Sequence, residues 1–183
     1  MRHHRAILVG TVFLGLASLG WTQGPPGQQK GRHGMMMDAD HAQDMELFHY
    51  LLDNRDQIRR TVTELPDGVE TLTESDDPDV AAKIREHVAA MYRRIEEDRP
   101  IHRRDPLFAE IFDHADAIDM MMEKTDFGLR VVETSSDPYV AELIKSHAHV
   151  VSQFLENGRM EMRKNHPLPE KPEETEQDKE PGR

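Results

Sequence analysis

The chain contains no cysteine. That excludes a disulfide framework, a thiolate zinc site, a cysteine nucleophile, a cysteine-held iron–sulfur cluster and covalently attached c-type haem. Basic charge is also short: 23 Lys and Arg stand against 35 Asp and Glu, for a net charge of −12. Neutralising phosphates needs the opposite balance, so nucleic acid is not an expected partner. Aromatic residues make up 5% of the chain and hydrophobic residues 37%, so 183 residues carry one lean core. No GxSxG, HExxH, glycine-rich phosphate loop or Walker pattern is present. Enzymatic activity is therefore not indicated, and a hydrolase or lyase would need a deep pocket lined by His and Asp from different parts of the chain.

Only one long apolar run occurs, over residues 6–19, behind Arg2, His3, His4 and Arg5. With the small residues Ser18 and Gly20 at its end, it reads as a secretory signal peptide over 1–20. It is short for a spanning helix, which needs about 20 apolar residues. The protein is expected to be exported, to the periplasm or the medium, with no membrane span after cleavage. Residues 21–40, rich in Gly, Pro and Gln and ending in Met35, Met36 and Met37, read as a flexible leader. Residues 169–183 are acidic and proline-bearing and read as a disordered tail.

The remainder is duplicated. At an offset of 60 residues, Ser75, Asp77, Pro78, Val80, Ala81 and Ile84 meet Ser135, Asp137, Pro138, Val140, Ala141 and Ile144. Gly68 meets Gly128, and His87 meets His147, with no gap in the register. The units are 41–105 and 106–168. Each reads helix, strand, strand, helix, which predicts an α+β fold: two tandem pseudo-twofold α-β-β-α repeats forming one domain, with a four-stranded antiparallel sheet and four helices on one face. Asp77-Pro78 and Asp137-Pro138 are helix starts. The first hairpin is expected to turn through a three-residue loop with Gly68 left-handed, and the second likewise at Gly128. That register sets Val62 opposite Leu72, Arg60 opposite Glu74 and Met122 opposite Val132. Thr61, Thr63, Thr71 and Thr73 then lie on the outer face.

The stretch LPDGVETLTESDDPDVAAKIREHV, echoed by GLRVVETSSDPYVAELIKSHA, resembles a group of uncharacterised exported bacterial proteins. The resemblance would cover about 41–168. It implies export and the duplicated fold, and it carries over no catalytic residue.

Two histidine constellations could hold a ligand. His87 and His147 occupy equivalent positions inside apolar helical stripes, where a buried imidazole needs a partner. Facing one another, they could share a metal ion or take both axial positions of a non-covalent haem. Met91 lies on the same face as His87. Alternatively each imidazole bonds a carbonyl or carboxylate of its own repeat, with Asp53, Asp113, Asp56 and Asp116 as candidate carboxylates. The second constellation is Met37, His41, Met45 and His49, spaced by four. Thioether and imidazole together suit copper, the favoured metal here. Met120, Met121 and Met122 are strand residues facing alternate sides. His149 is expected in solvent, His166 is expected to end the last helix, and the basic run from Arg93 to Arg104 is expected to be a solvated helix end and linker.

The sequence thus favours a small exported binding protein holding a transition metal, or haem, between His87 and His147. The alternative is a structural or protein-interaction module with no prosthetic group, docking through an exposed sheet face around Leu65, Val69, Leu129 and Val131.

Overall fold

The computed structural model describes residues 30–171, with side chains from residue 40. The expected signal peptide, residues 21–29 of the leader and residues 172–183 of the tail lie outside the described residues, as do the side chains of Met35, Met36 and Met37. The fold is α+β, and its element order runs twice. The first unit comprises α1 (Lys30–Asp53), β1 (Arg59–Leu65), β2 (Gly68–Glu74) and α2 (Pro78–Glu96). The second comprises α3 (Pro106–Asp113), β3 (Asp119–Lys124), β4 (Gly128–Thr134) and α4 (Pro138–Asn157). Helix α1 starts at Lys30, within the segment expected to be a flexible leader.

The helix starts follow from local chemistry. Asp77 accepts hydrogen bonds from the backbone N–H groups of Asp79 and Val80 at 2.8 and 3.2 Å, and Pro78 occupies the first turn. Asp137 does the same for Tyr139 and Val140 at 2.8 and 3.4 Å. The Ser75 and Ser135 hydroxyls each accept from the N–H two residues on, at 3.1 Å.

The four strands form one antiparallel sheet in the order β1-β2-β4-β3, so the two hairpins meet along β2 and β4. Thr71 pairs with Val131 at the centre of this seam. Across the seam, the Ser75 N–H donates to the Phe127 carbonyl and the Ser135 N–H to the Asp67 carbonyl, both at 2.9 Å. Each long helix reaches the other unit's hairpin: α4 packs on β1 and β2, and α2 packs on β4. This exchange makes one core from two repeats.

The register differs from the expected one. Leu65 pairs with Gly68, so the first turn has two residues, Pro66 and Asp67. Neither Gly68 nor Gly128 has positive φ. The two glycines lie at opposite ends of the β2–β4 seam, where Gly68 pairs with Thr134 and Gly128 with Glu74. A Cβ on Gly68 would stand 1.9 Å from the Glu133 carbonyl oxygen, and one on Gly128 would stand 2.0 Å from that of Thr73. The requirement is space rather than a left-handed backbone.

A slip of one residue moves every side chain of a strand to the other face. Val62 therefore pairs with Thr71, Arg60 with Thr73, and Met121 with Val132. Val69, Thr71, Leu129 and Val131 are buried against the helices, at 0–7% exposure. Leu72 and Val132 occupy the outer face, and Thr71 and Thr73 are inside rather than outside. The docking face expected around Val69, Leu129 and Val131 does not exist, because those residues form the core. Met120 faces inward and Met121 is 70% exposed, as strand alternation requires.

The basic run is not wholly solvated. Arg94 lies on the inner side of α2 at 6% exposure and pairs with buried Asp44 of α1, its Nε donating at 2.5 Å. It also donates to the Arg99 carbonyl at 3.1 Å.

Nor does His166 end a helix. It lies beyond α4 and the 3₁₀ turn Gly158–Arg163, buried between two acids. Its Nδ1 lies 2.5 Å from Asp105 Oδ2 and its Nε2 lies 3.0 Å from Glu161 Oε1. Asp105 also caps α3, accepting from the Leu107 N–H at 3.0 Å. The pair therefore clasps the C-terminal segment onto the start of the second repeat. Burial lowers the His166 pKa, but the hydrogen bonds to Glu161 and Asp105 outweigh burial and raise it above 6.5. The charged clasp contributes fully below pH 6.5 and is lost as pH rises through the raised folded value. His166→Ala leaves Asp105 buried without its partner and is expected to cost about 3–5 kcal/mol. Urea unfolding of both proteins between about pH 6 and 9 checks this, since the difference between them should shrink as pH rises.

Candidate functional site

Between the inner face of the sheet and the helices lies a cavity of about 240 Å³. The sheet supplies its floor, with Arg60, Thr71, Thr73, Met120, Leu129, Val131 and Glu133. Helices α1, α2 and α4 supply the roof. Phe48, Phe108 and Phe154 form an aromatic cluster along one wall. Phe154 meets Phe48 edge-on at 5.4 Å between centroids and lies 6.1 Å from Phe108.

His87 and His147 both line this one cavity. Equivalent positions on α2 and α4 face the same space because each helix crosses to the other hairpin. His87 stacks on Phe48 at 5.7 Å, and His147 meets Phe108 edge-on at 5.3 Å. Neither is held by the carboxylates expected for it. Asp53 is paired with Arg159 and Asp113 with Arg103, both at the surface. His87 Nδ1 is buried without a hydrogen-bond partner. Burial pushes both imidazoles down to about 4, with Asp44 opposing the shift at His87 and the Arg60 and His87 charges adding to it at His147. Both are therefore neutral at physiological pH, with ring nitrogens free to accept or to ligate.

Met91 and Met45 line the same cavity. Of the other α1 ladder residues, His41 and His49 do not line it, and the side chain of Met37 lies outside the described residues. His41 is exposed, and His49 is half-buried beside Phe48 and close enough to Asp53 to act on its charge. Among the described residues, no group of three or more His, Asp or Glu is gathered as a metal site. His149 is exposed, next to Gln153, as expected.

Two residues not anticipated as site residues are Arg60 and Glu133. Arg60 does not pair with Glu74; it turns inward, and its Nη1 donates to Thr73 Oγ1 at 2.8 Å. Its Nε is buried with no acceptor. Glu133 faces the same cavity from β4, and burial raises its pKa, partly opposed by Arg60. The offset of 60 already held a signal for both. Arg60 is equivalent to Met120 and Glu133 to Thr73, so the repeats differ in chemistry at the two inward positions where the fold does not require charge.

The arrangement can enclose a small apolar molecule and meet it with a few buried polar groups, the usual composition of a ligand site. No nucleophile is bonded to a base in it. No family model, curated protein or solved structure matches the chain. Among the described residues no helix is long and apolar enough to cross a membrane.

Proposed function

We propose that the protein is an exported small-molecule binding protein that carries its ligand in the cavity between sheet and helices. The observation that supports this reading is the shared cavity itself: an apolar space with His87, His147, Arg60 and Glu133 facing into it, two of them with unpartnered buried nitrogens. An interaction module would have no use for such a space, since an empty apolar cavity lowers stability by about 24 cal/mol per Å³. Export rests on the charged start and apolar run of residues 2–19. A volume of about 240 Å³ is below the roughly 300–1,000 Å³ of pockets for drug-sized molecules. It favours a ligand smaller than a porphyrin.

Copper is a second reading, favoured by one observation: Met45, Met91 and Met120 line the cavity together with the two neutral imidazoles. Thioether and imidazole form a soft donor set suited to Cu(I).

Thermal unfolding of the full chain tests both readings. Hexan-1-ol at about 100 times its Kd should stabilise the protein by about 2.7 kcal/mol. Replacing Val151 in the cavity wall by Trp should abolish that gain by filling the space. Stabilisation by one equivalent of Cu(I), lost in a His87→Ala, His147→Ala variant, would favour copper. Stabilisation by neither would return the protein to the interaction-module reading.

A further inference from the structure

We propose that the cavity selects a monocarboxylate, a short acyl or aromatic acid whose carboxylate docks on Arg60 and whose body fills the apolar space. This rests on the reading of the cavity as a ligand site. The fold does not require a cation at this position, because the second repeat has Met120 there. Arg60 is half-buried with its Nε wholly enclosed, and a guanidinium so withdrawn from water is costly unless its donors are met. One arm of this one is fixed by Thr73 at 2.8 Å, while Nε finds no acceptor and no carboxylate forms an ion pair with Arg60 among the described residues. The planar guanidinium matches a carboxylate with two parallel hydrogen bonds.

The surroundings suit that head group. His147 lines the same cavity, and its neutral ring carries an N–H donor. Glu133 would repel an anion, but burial shifts it toward its protonated form against the opposing Arg60 charge, which weakens the repulsion. The net charge of −12 acts mostly from the surface, and it is screened beyond roughly 8 Å at physiological salt. Size then bounds the ligand. At about 30 Å³ for a water-sized group, a cavity of about 240 Å³ holds on the order of eight heavy atoms. Hexanoate is of that size.

The test is calorimetric titration of the full chain with hexanoate, hexan-1-ol and hexylamine, which share a six-carbon body and differ in the head. Hexanoate should bind at least about tenfold more tightly than hexan-1-ol. Arg60→Met, which installs the residue of the other repeat, should weaken hexanoate by about 10- to 100-fold and hexan-1-ol by much less. Comparing the two ligands on the unaltered protein needs no variant, so a misfolded Arg60→Met does not spoil the test. If hexan-1-ol binds as well as hexanoate, or Arg60→Met weakens both equally, the carboxylate inference is overturned and the binding function stands. Hexylamine binding most tightly, and losing affinity in Glu133→Thr, would overturn it in favour of a cationic ligand. Failure of all three ligands to bind would overturn the cavity's function as well.

Discussion

Gly68→Ala is expected to unfold the protein or to lower its stability by more than about 4 kcal/mol, a loss seen only where a specific structural requirement is broken. The new methyl would stand 1.9 Å from the Glu133 carbonyl oxygen, and no backbone atom on that seam can move without parting β2 from β4. Gly128→Ala should behave alike, at 2.0 Å from the Thr73 carbonyl oxygen. The effect is large because this seam is where the two hairpins join into one sheet. Gly158→Ala is the internal contrast. Its φ of +60° would strain alanine, yet the nearest neighbour is the Arg55 guanidinium at 3.3 Å, the end of a flexible side chain. With ψ at −138° the position lies outside the left-handed helical region, in one nearly reserved for glycine, and the substitution should cost about 1–3 kcal/mol. Chemical denaturation of the three variants checks the order. A Gly68→Ala protein as stable as Gly158→Ala would contradict the close β2–β4 contact.

The second large effect is acid sensitivity centred on the cavity. His87 and His147 titrate near 4 in the fold and near 6.5 when unfolded. Between those values the unfolded chain binds more protons, so stability falls as pH falls through this window and levels off below it. At 1.36 kcal/mol per pKa unit, each histidine should contribute about 3 kcal/mol of destabilisation. His166, whose folded value is raised above 6.5, stays protonated throughout this window, so its own titration does not add to the trend. His87→Leu and His147→Leu should each flatten the profile, and the double variant should be the more stable protein at pH 4. Urea midpoints measured from pH 7 to pH 4 decide this. A parallel decline in the double variant would show that the imidazoles do not enter the fold neutral.

Much of the fold was legible in the sequence because it depends on local chemistry repeated twice. The Asp-Pro starts of α2 and α4 are capping signals that need no tertiary context. The offset of 60 placed His87 and His147 as equivalents, and the helix exchange brings them to one cavity. Register was not legible. Leu65-Pro66-Asp67-Gly68-Val69 is compatible with turns of two or three residues, and a glycine needed for clearance looks the same in sequence as one needed for positive φ. That single slip hid the inner positions of β2 and β4, and with them Glu133 and the polar floor. Arg60 was missed for a related reason: charge on a strand suggests a cross-strand pair at the surface. Arg94 and His166 escaped notice because their partners, Asp44 and Asp105, are 50 and 61 residues away.

The central claim is that the space beneath the aromatic cluster is a ligand site. The most direct measurement is methyl NMR of the full chain labelled at methionine, titrated with hexan-1-ol. Met45, Met91 and Met120 line the cavity, while Met121 and Met160 are exposed elsewhere. Saturable shifts are expected at the first three, with Met121 and Met160 unmoved. Shifts at Met121 or Met160 alone, or none at any methionine, would contradict it.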